Sequence, residues 1–190
     1  LTKEIAKPAL TLLVLALLAL PFLSVQALAA GEDREPLPEN LAGLDGVGLR
    51  CIVSTDRAFV QKMCELLIAA GIEKAANKGL KTANAGITWE RNTDDAYRAA
   101  IDAAKINRPL LLEIFIRGTD GEPVSGSIHI LASVEYVAAI EQNGESEPRS
   151  GRLLVWESAG TASGPAKQLP DALAAHMSKK LDLLFAAFRK

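Results

Sequence analysis

The sequence predicts an α+β fold: an antiparallel three-stranded meander plus a first strand, packed with two central helices and a C-terminal amphipathic helix, in the order β-α-(β)-α-β-β-β-α. Three observations carry this. Pro109 to Arg117 is nearly all Leu, Ile and Phe, and a turn at Thr119, Asp120 and Gly121 leads from it into a cleanly alternating segment. A β-branched run begins at Val47. Near the C-terminus, Leu173, Met177, Leu181, Leu184 and Phe188 form an apolar stripe at helical spacing, widened by Phe185.

In chain order, the first strand starts at Val47, with Leu49, Cys51 and Val53 on one face and Arg50, Ile52 and Ser54 on the other. Thr55 or Asp56 caps a helix whose apolar face holds Phe59, Val60, Met63, Leu66, Leu67 and Ala70, and Gly71 with Ile72 is expected to close it. Residues 73–91 are the least regular stretch, with a short strand expected around Ala85 to Trp89. Asn92 or Thr93 caps a second helix carrying Tyr97, Ala100, Ile101 and Ala104, with Asp94 and Asp95 favourably placed at its positive end; it must stop before Pro109.

In the alternating strand, Val124, Gly126, Ile128, Ile130, Ala132, Val134 and Tyr136 share one face, and Ser125, Ser127, His129, Leu131, Ser133 and Glu135 the other, as in a sheet with one wet side. Gln142 to Ser150 is expected as a polar loop, Arg152 to Ser158 as the last strand, Ala159 to Gly164 as a small-residue loop, and Pro170 to Phe188 as the final helix.

The domain division follows from the N-terminus. Lys3 and Lys7, the uncharged stretch Leu10 to Leu23 and the small residues Ala27, Ala29 and Ala30 have the order of a secretory signal peptide over residues 1–29. As a helix, Leu10 to Leu23 rises only about 21 Å, short of the roughly 30 Å hydrocarbon core, and Pro21 interrupts it. The alternative is a retained anchor, so any membrane contact is expected only through this segment. Residues 30–46, charged and twice broken by proline, read as a flexible lead-in, and 47–190 as a single domain. The expected location is periplasmic or secreted. With net charge −2 and no basic cluster denser than Lys179 with Lys180, nucleic acid is not an expected partner.

Two cysteines in an exported chain suggest a disulfide between Cys51 and Cys64. Against it, a helix packed about 10 Å over a sheet is expected to hold the Cα atoms beyond the disulfide limit of about 7 Å. Two small buried thiols are the alternative.

Catalytic chemistry is sparsely represented. His129 falls on the wet strand face beside Ser127 and Ser125 and toward Glu135, a paper arrangement for a Ser/His/acid hydrolase, but no Gly-x-Ser-x-Gly elbow and no oxyanion hole accompany it. His176 flanks the stripe of the terminal helix. No His-x-His, His-Glu-x-x-His or Cys-x-x-Cys occurs, so no metal site and no cofactor are expected. Gly160 to Lys167 joins a strand to a helix, yet Lys167 does not follow the second glycine and Pro165 deletes a backbone N–H, which departs from a phosphate loop.

Ile87 to Glu90, Thr93 to Lys105 and Arg108 to Ile114 together resemble the opening of a thioredoxin-like domain. That family's Cys-x-x-Cys would follow the strand, where this chain has Ile116 to Pro123 and no cysteine, so the resemblance implies no redox role. The expected function is therefore a non-enzymatic, exported binding or accessory role toward an envelope protein or small ligand. The alternatives are a small hydrolase using His129, or a structural tethered envelope component. A binding surface would expose aromatic residues, and Trp89 and Trp156 are the candidates.

Overall fold

The computed structural model describes residues 26–28, 41–89, 94–142 and 145–188. The fold is α+β. Its strands are β1 (Gln26–Leu28), β2 (Gly46–Val53), β3 (Lys81–Trp89), β4 (Pro109–Thr119), β5 (Val124–Gln142) and β6 (Glu145–Gly164), and its helices α1 (Ala58–Asn77), α2 (Asp95–Ala103) and α3 (Leu169–Ala186). They form one mixed six-stranded sheet in the order β1-β6-β5-β4-β2-β3. The meander β4-β5-β6 is antiparallel, while β2 runs parallel to both its neighbours, β3 and β4.

That order decides which face each helix covers. From β2 the chain crosses through α1 to β3 on one side, then returns through α2 to β4 on the other side of β2. Right-handed crossovers in opposite directions put α1 and α2 on opposite faces of the sheet. The α1 face is the main core: Leu49, Cys51 and Val53 of β2, Leu112, Ile114 and Ile116 of β4, and Ile128 and Ile130 of β5 are buried beneath α1 and α3. Both helices cover the meander, for Val60 and Met63 of α1 reach Gly118 and Gly126 alongside Leu169 and Leu173 of α3. On the opposite face α2 makes a small cluster of Tyr97 and Ile101 with Ala83, Ile106 and Leu111.

Several element boundaries differ from expectation for identifiable reasons. Gly71 does not end α1, which runs on to Asn77. A Cβ at Gly71 would lie 2.5 Å from Leu49 Cδ2, so glycine is there to let the helix settle onto β2. No side chain caps α1, whose N-cap is Arg57 in place of Thr55 or Asp56. The last strand begins at Glu145 and ends at Gly164, absorbing both the expected polar loop and the expected small-residue loop, because the long β5 offers partners from Val124 to Gln142. An extra residue at Val155, where Ala132 faces Trp156 and Ser133 faces Leu154, adjusts the register along the way.

The expected lead-in is partly structured, with Leu41 buried in the core and Leu44 packed against it. Gln26–Leu28, within the expected leader, pairs antiparallel with Thr161–Ser163 of β6. The other residues of 1–40, and the caps expected at Asn92 or Thr93, lie outside the described residues. No helix among the described residues is long and apolar enough to cross a membrane.

Candidate functional site on the half-open sheet face

Helix α2 lies over only part of its face. It packs against β2, β3 and Leu111 at the start of β4, and among the described residues no helix lies over the far ends of β4, β5 and β6 on this face. Alternation in the strands then decides what that open area contains. Arg117, Ser127 and Thr161 stand directly across from one another in one row, and Thr119, Ser125 and Ser163 in the next. Together they line a cavity of about 280 Å³, with Gly126 and Ala162 completing its wall.

One row further along, Phe115 faces His129 and Ala159. The His129 and Phe115 rings are 6.4 Å apart, and His129 Nε2 lies 3.5 Å from Glu157 Oε2. The acid beside His129 is therefore Glu157. Glu135, expected there, stands six residues along β5 between Arg98 and Arg152. His129 is half-exposed.

Where α2 meets the sheet, buried charges stand beside its small apolar cluster. Arg50 of β2 and Glu113 of β4, opposite each other in register, are both buried, and Arg50 Nε donates to Glu113 Oε1 at 2.7 Å. Arg50 Nη1 lies 2.8 Å from Asp94 Oδ1 at the start of α2, and Arg152 of β6 donates to the other Asp94 oxygen at 3.0 Å. The Tyr97 hydroxyl donates to the Gly48 carbonyl at 2.8 Å. Burial raises the cost of charge on Asp94, but the hydrogen bond from Arg50 and the charges of Arg152, Arg50 and Arg98 outweigh it and hold the carboxyl below its usual range. Burial, with the Glu113 charge, pushes the Tyr97 phenol far up. Every charge in this cluster has a partner, so it fastens α2 to the sheet.

The two tryptophans separate. Trp89 ends β3 with half its surface exposed, whereas Trp156 is 1% exposed and belongs to the core, since the register adjustment at Val155 turns it toward the helices opposite Ala132. Trp156 is thus corrected from a surface candidate to a core residue. Cys51 and Cys64 form a disulfide with Cα atoms 5.7 Å apart, both fully buried. The expected separation is too large because Gly71, which meets Leu49 of β2, brings α1 closer than a bulkier side chain allows. Gly160 lies within β6 and Lys167 is exposed beyond it, so no phosphate loop forms. No group of three or more His, Cys, Asp or Glu side chains suited to a metal ion occurs among the described residues.

No family model matches the chain, and no curated protein matches it. Among solved structures it is similar to a dodecamer of a PelC variant from Paraburkholderia phytofirmans, at 12% identity over 87% of this chain and 99% of that chain, with a TM-score of 0.37. At that TM-score the likeness assigns this chain no role.

Proposed function

We propose that this chain is an exported binding or accessory protein of the cell envelope, working from the uncovered half of its sheet face. The observation that carries the reading is the asymmetry of the sheet. One face is closed by α1 and α3, while on the other the hydroxyl-lined cavity at Arg117, Ser127 and Thr161 lies beyond α2 and under no other described helix. A concave patch with converging polar side chains is a common form of ligand site. The buried Cys51–Cys64 disulfide is consistent with an oxidising compartment. The alternative, a hydrolase, is supported only by His129 beside Glu157.

Two measurements test this. Mass spectrometry of the chain from the periplasmic or secreted fraction should give an N-terminus at Ala30 or Gly31, and recovery of the intact chain from membranes would contradict export. Hydrogen–deuterium exchange with and without a periplasmic extract should show protection in β4, β5 and β6 around Arg117, Ser127 and Thr161. Protection confined to α1 and α3 would place the working surface elsewhere.

A further inference from the structure

Beyond that reading, we infer that the cleft between α2 and the strands beside it binds a small zwitterion, an α-amino acid with an apolar side chain. It is a separate site, for Glu135 on its wall is about 27 Å along β5 from Ser127. Its volume of about 190 Å³ is below the roughly 300–1,000 Å³ of pockets for larger ligands, which limits it to a molecule of amino-acid size. Ile101, Ile106, Pro109 and Leu111 supply apolar wall, and both signs of charge stand around them, Arg98 and Arg152 against Asp102 and Glu135. A plain anion would meet the two carboxylates, and a plain cation the two guanidiniums. A molecule carrying both charges a few bonds apart meets a complement for each.

The charges of the cleft satisfy one another incompletely. Asp102 sits in the last turn of α2, where the helix dipole disfavours a carboxylate, and no described residue forms an ion pair with it. Arg98 stands one turn away on the same flank, at a spacing that puts Cβ atoms about 5–6 Å apart, yet it reaches toward Glu135 instead. That contact, at 3.4 Å, and the one from Arg152 Nε to the same oxygen, at 3.6 Å, exceed the roughly 2.7–3.2 Å of a well-formed N–H···O bond. Two residues in from Glu135 on the same face, Ser133 stands opposite Leu111; it is 6% exposed, and its hydroxyl has no hydrogen-bond partner among the described residues. Buried polar atoms are seldom left so, and this wall therefore holds unmet polar capacity as well. An ammonium placed between Asp102 and Glu135, with the ligand carboxylate toward Arg98, supplies the counter-charge Asp102 lacks and sets an apolar side chain against Ile106 and Leu111.

The test is a titration of the ¹⁵N-labelled protein with L-leucine and L-valine, followed by amide chemical shifts at low ionic strength. Saturating shifts should centre on Arg98, Asp102, Leu111 and Glu135 and leave Ser127 unmoved. Isocaproate, which is L-leucine without the ammonium, and isopentylamine, which is L-leucine without the carboxylate, should each bind roughly tenfold more weakly or worse, the change for a lost charge-assisted hydrogen bond. Asp102→Asn and Arg98→Gln should each weaken L-leucine by about the same factor, roughly tenfold, and Lys62→Gln on α1 should not. The melting temperature of Asp102→Asn should stay unchanged or rise, because the change removes a carboxylate from the unfavourable end of α2, which separates its loss of binding from any loss of fold. No saturating shift with either amino acid, equally tight binding of either single-charge analogue, or binding indifferent to both Asp102→Asn and Arg98→Gln overturns the proposal.

Discussion

The guanidinium carbon of Arg50 lies 4.7 Å from the centroid of the Tyr97 ring, so a cation buried in the sheet is sandwiched between a carboxylate beside it, Glu113, and an aromatic face from α2. Removing one member of such a pair leaves the other charged and dry. Glu113→Ala should therefore lower stability by about 3–5 kcal/mol in urea denaturation, while the joint change Arg50→Met with Glu113→Leu should cost much less. Equal losses in the single and joint variants would show that the pair contributes through packing and not through its charges.

Stability should also fall at both extremes of pH for reasons traceable to α2. Asp94 is held below its ordinary value of 3.8, so its contribution is complete above that value and disappears as pH drops through the lower, folded-state value. Tyr97 is pushed above its ordinary 10.0, so its contribution is complete below pH 10 and is lost as the solution becomes more alkaline. Asp94→Asn should flatten the acid limb of a stability–pH curve and Tyr97→Phe the alkaline limb. Curves that keep their shape in both variants would remove α2 from this account.

The Cys51–Cys64 bridge closes a loop with a sequence separation of 13, for which the chain-entropy estimate is about 3 kcal/mol. Native protein should resist thiol reagents until it is both unfolded and reduced, and the reduced form should melt at lower temperature with no selective loss of binding. Rapid labelling of the native protein would contradict a fully buried bridge.

Helix α3 should be indispensable to folding. Leu173, Met177, Leu181 and Leu184 are each 0% exposed, so Leu184→Ala should cost roughly 2–5 kcal/mol, and truncation before Pro170 should give an unfolded or aggregating product. A truncated chain that stays soluble with an unchanged melting transition would make α3 a free amphipathic element.

Much of this fold is legible in period-two and helical spacing. The meander, the split between the Ile128 and Ser127 faces, and the stripe of α3 all follow from it. The charged cluster leaves a fainter trace: a lone Arg50 in one apolar strand and a lone Glu113 in another, whose meeting requires knowing that β2 and β4 are parallel neighbours in that register. Ala159 to Gly164 has the composition of a loop and becomes strand because Val124 to His129 supplies its partners. The exposure of Tyr136 has the same origin, for beyond Val134 the β5–β6 pair outruns β4 and the alternating face continues with no described helix above it. The candidate site is half visible: the serines and His129 fall on the wet face by alternation, but that Thr161 and Ser163 join them depends on β6 extending past Ser158. Trp156 is lost as a surface residue to one extra residue in β6, which no composition reveals.

The claim that the uncovered half of the sheet is the working surface is tested most directly by filling it. Ser127 lies on the open face, away from the core beneath Ile128, so Ser127→Tyr should occupy the cavity and leave the melting transition unchanged. The account predicts that this variant loses the exchange protection conferred by a periplasmic extract, while Val137→Asp, on the exposed β5–β6 extension, retains it. Protection that survives Ser127→Tyr and disappears in Val137→Asp would contradict it and move the binding surface to the extension.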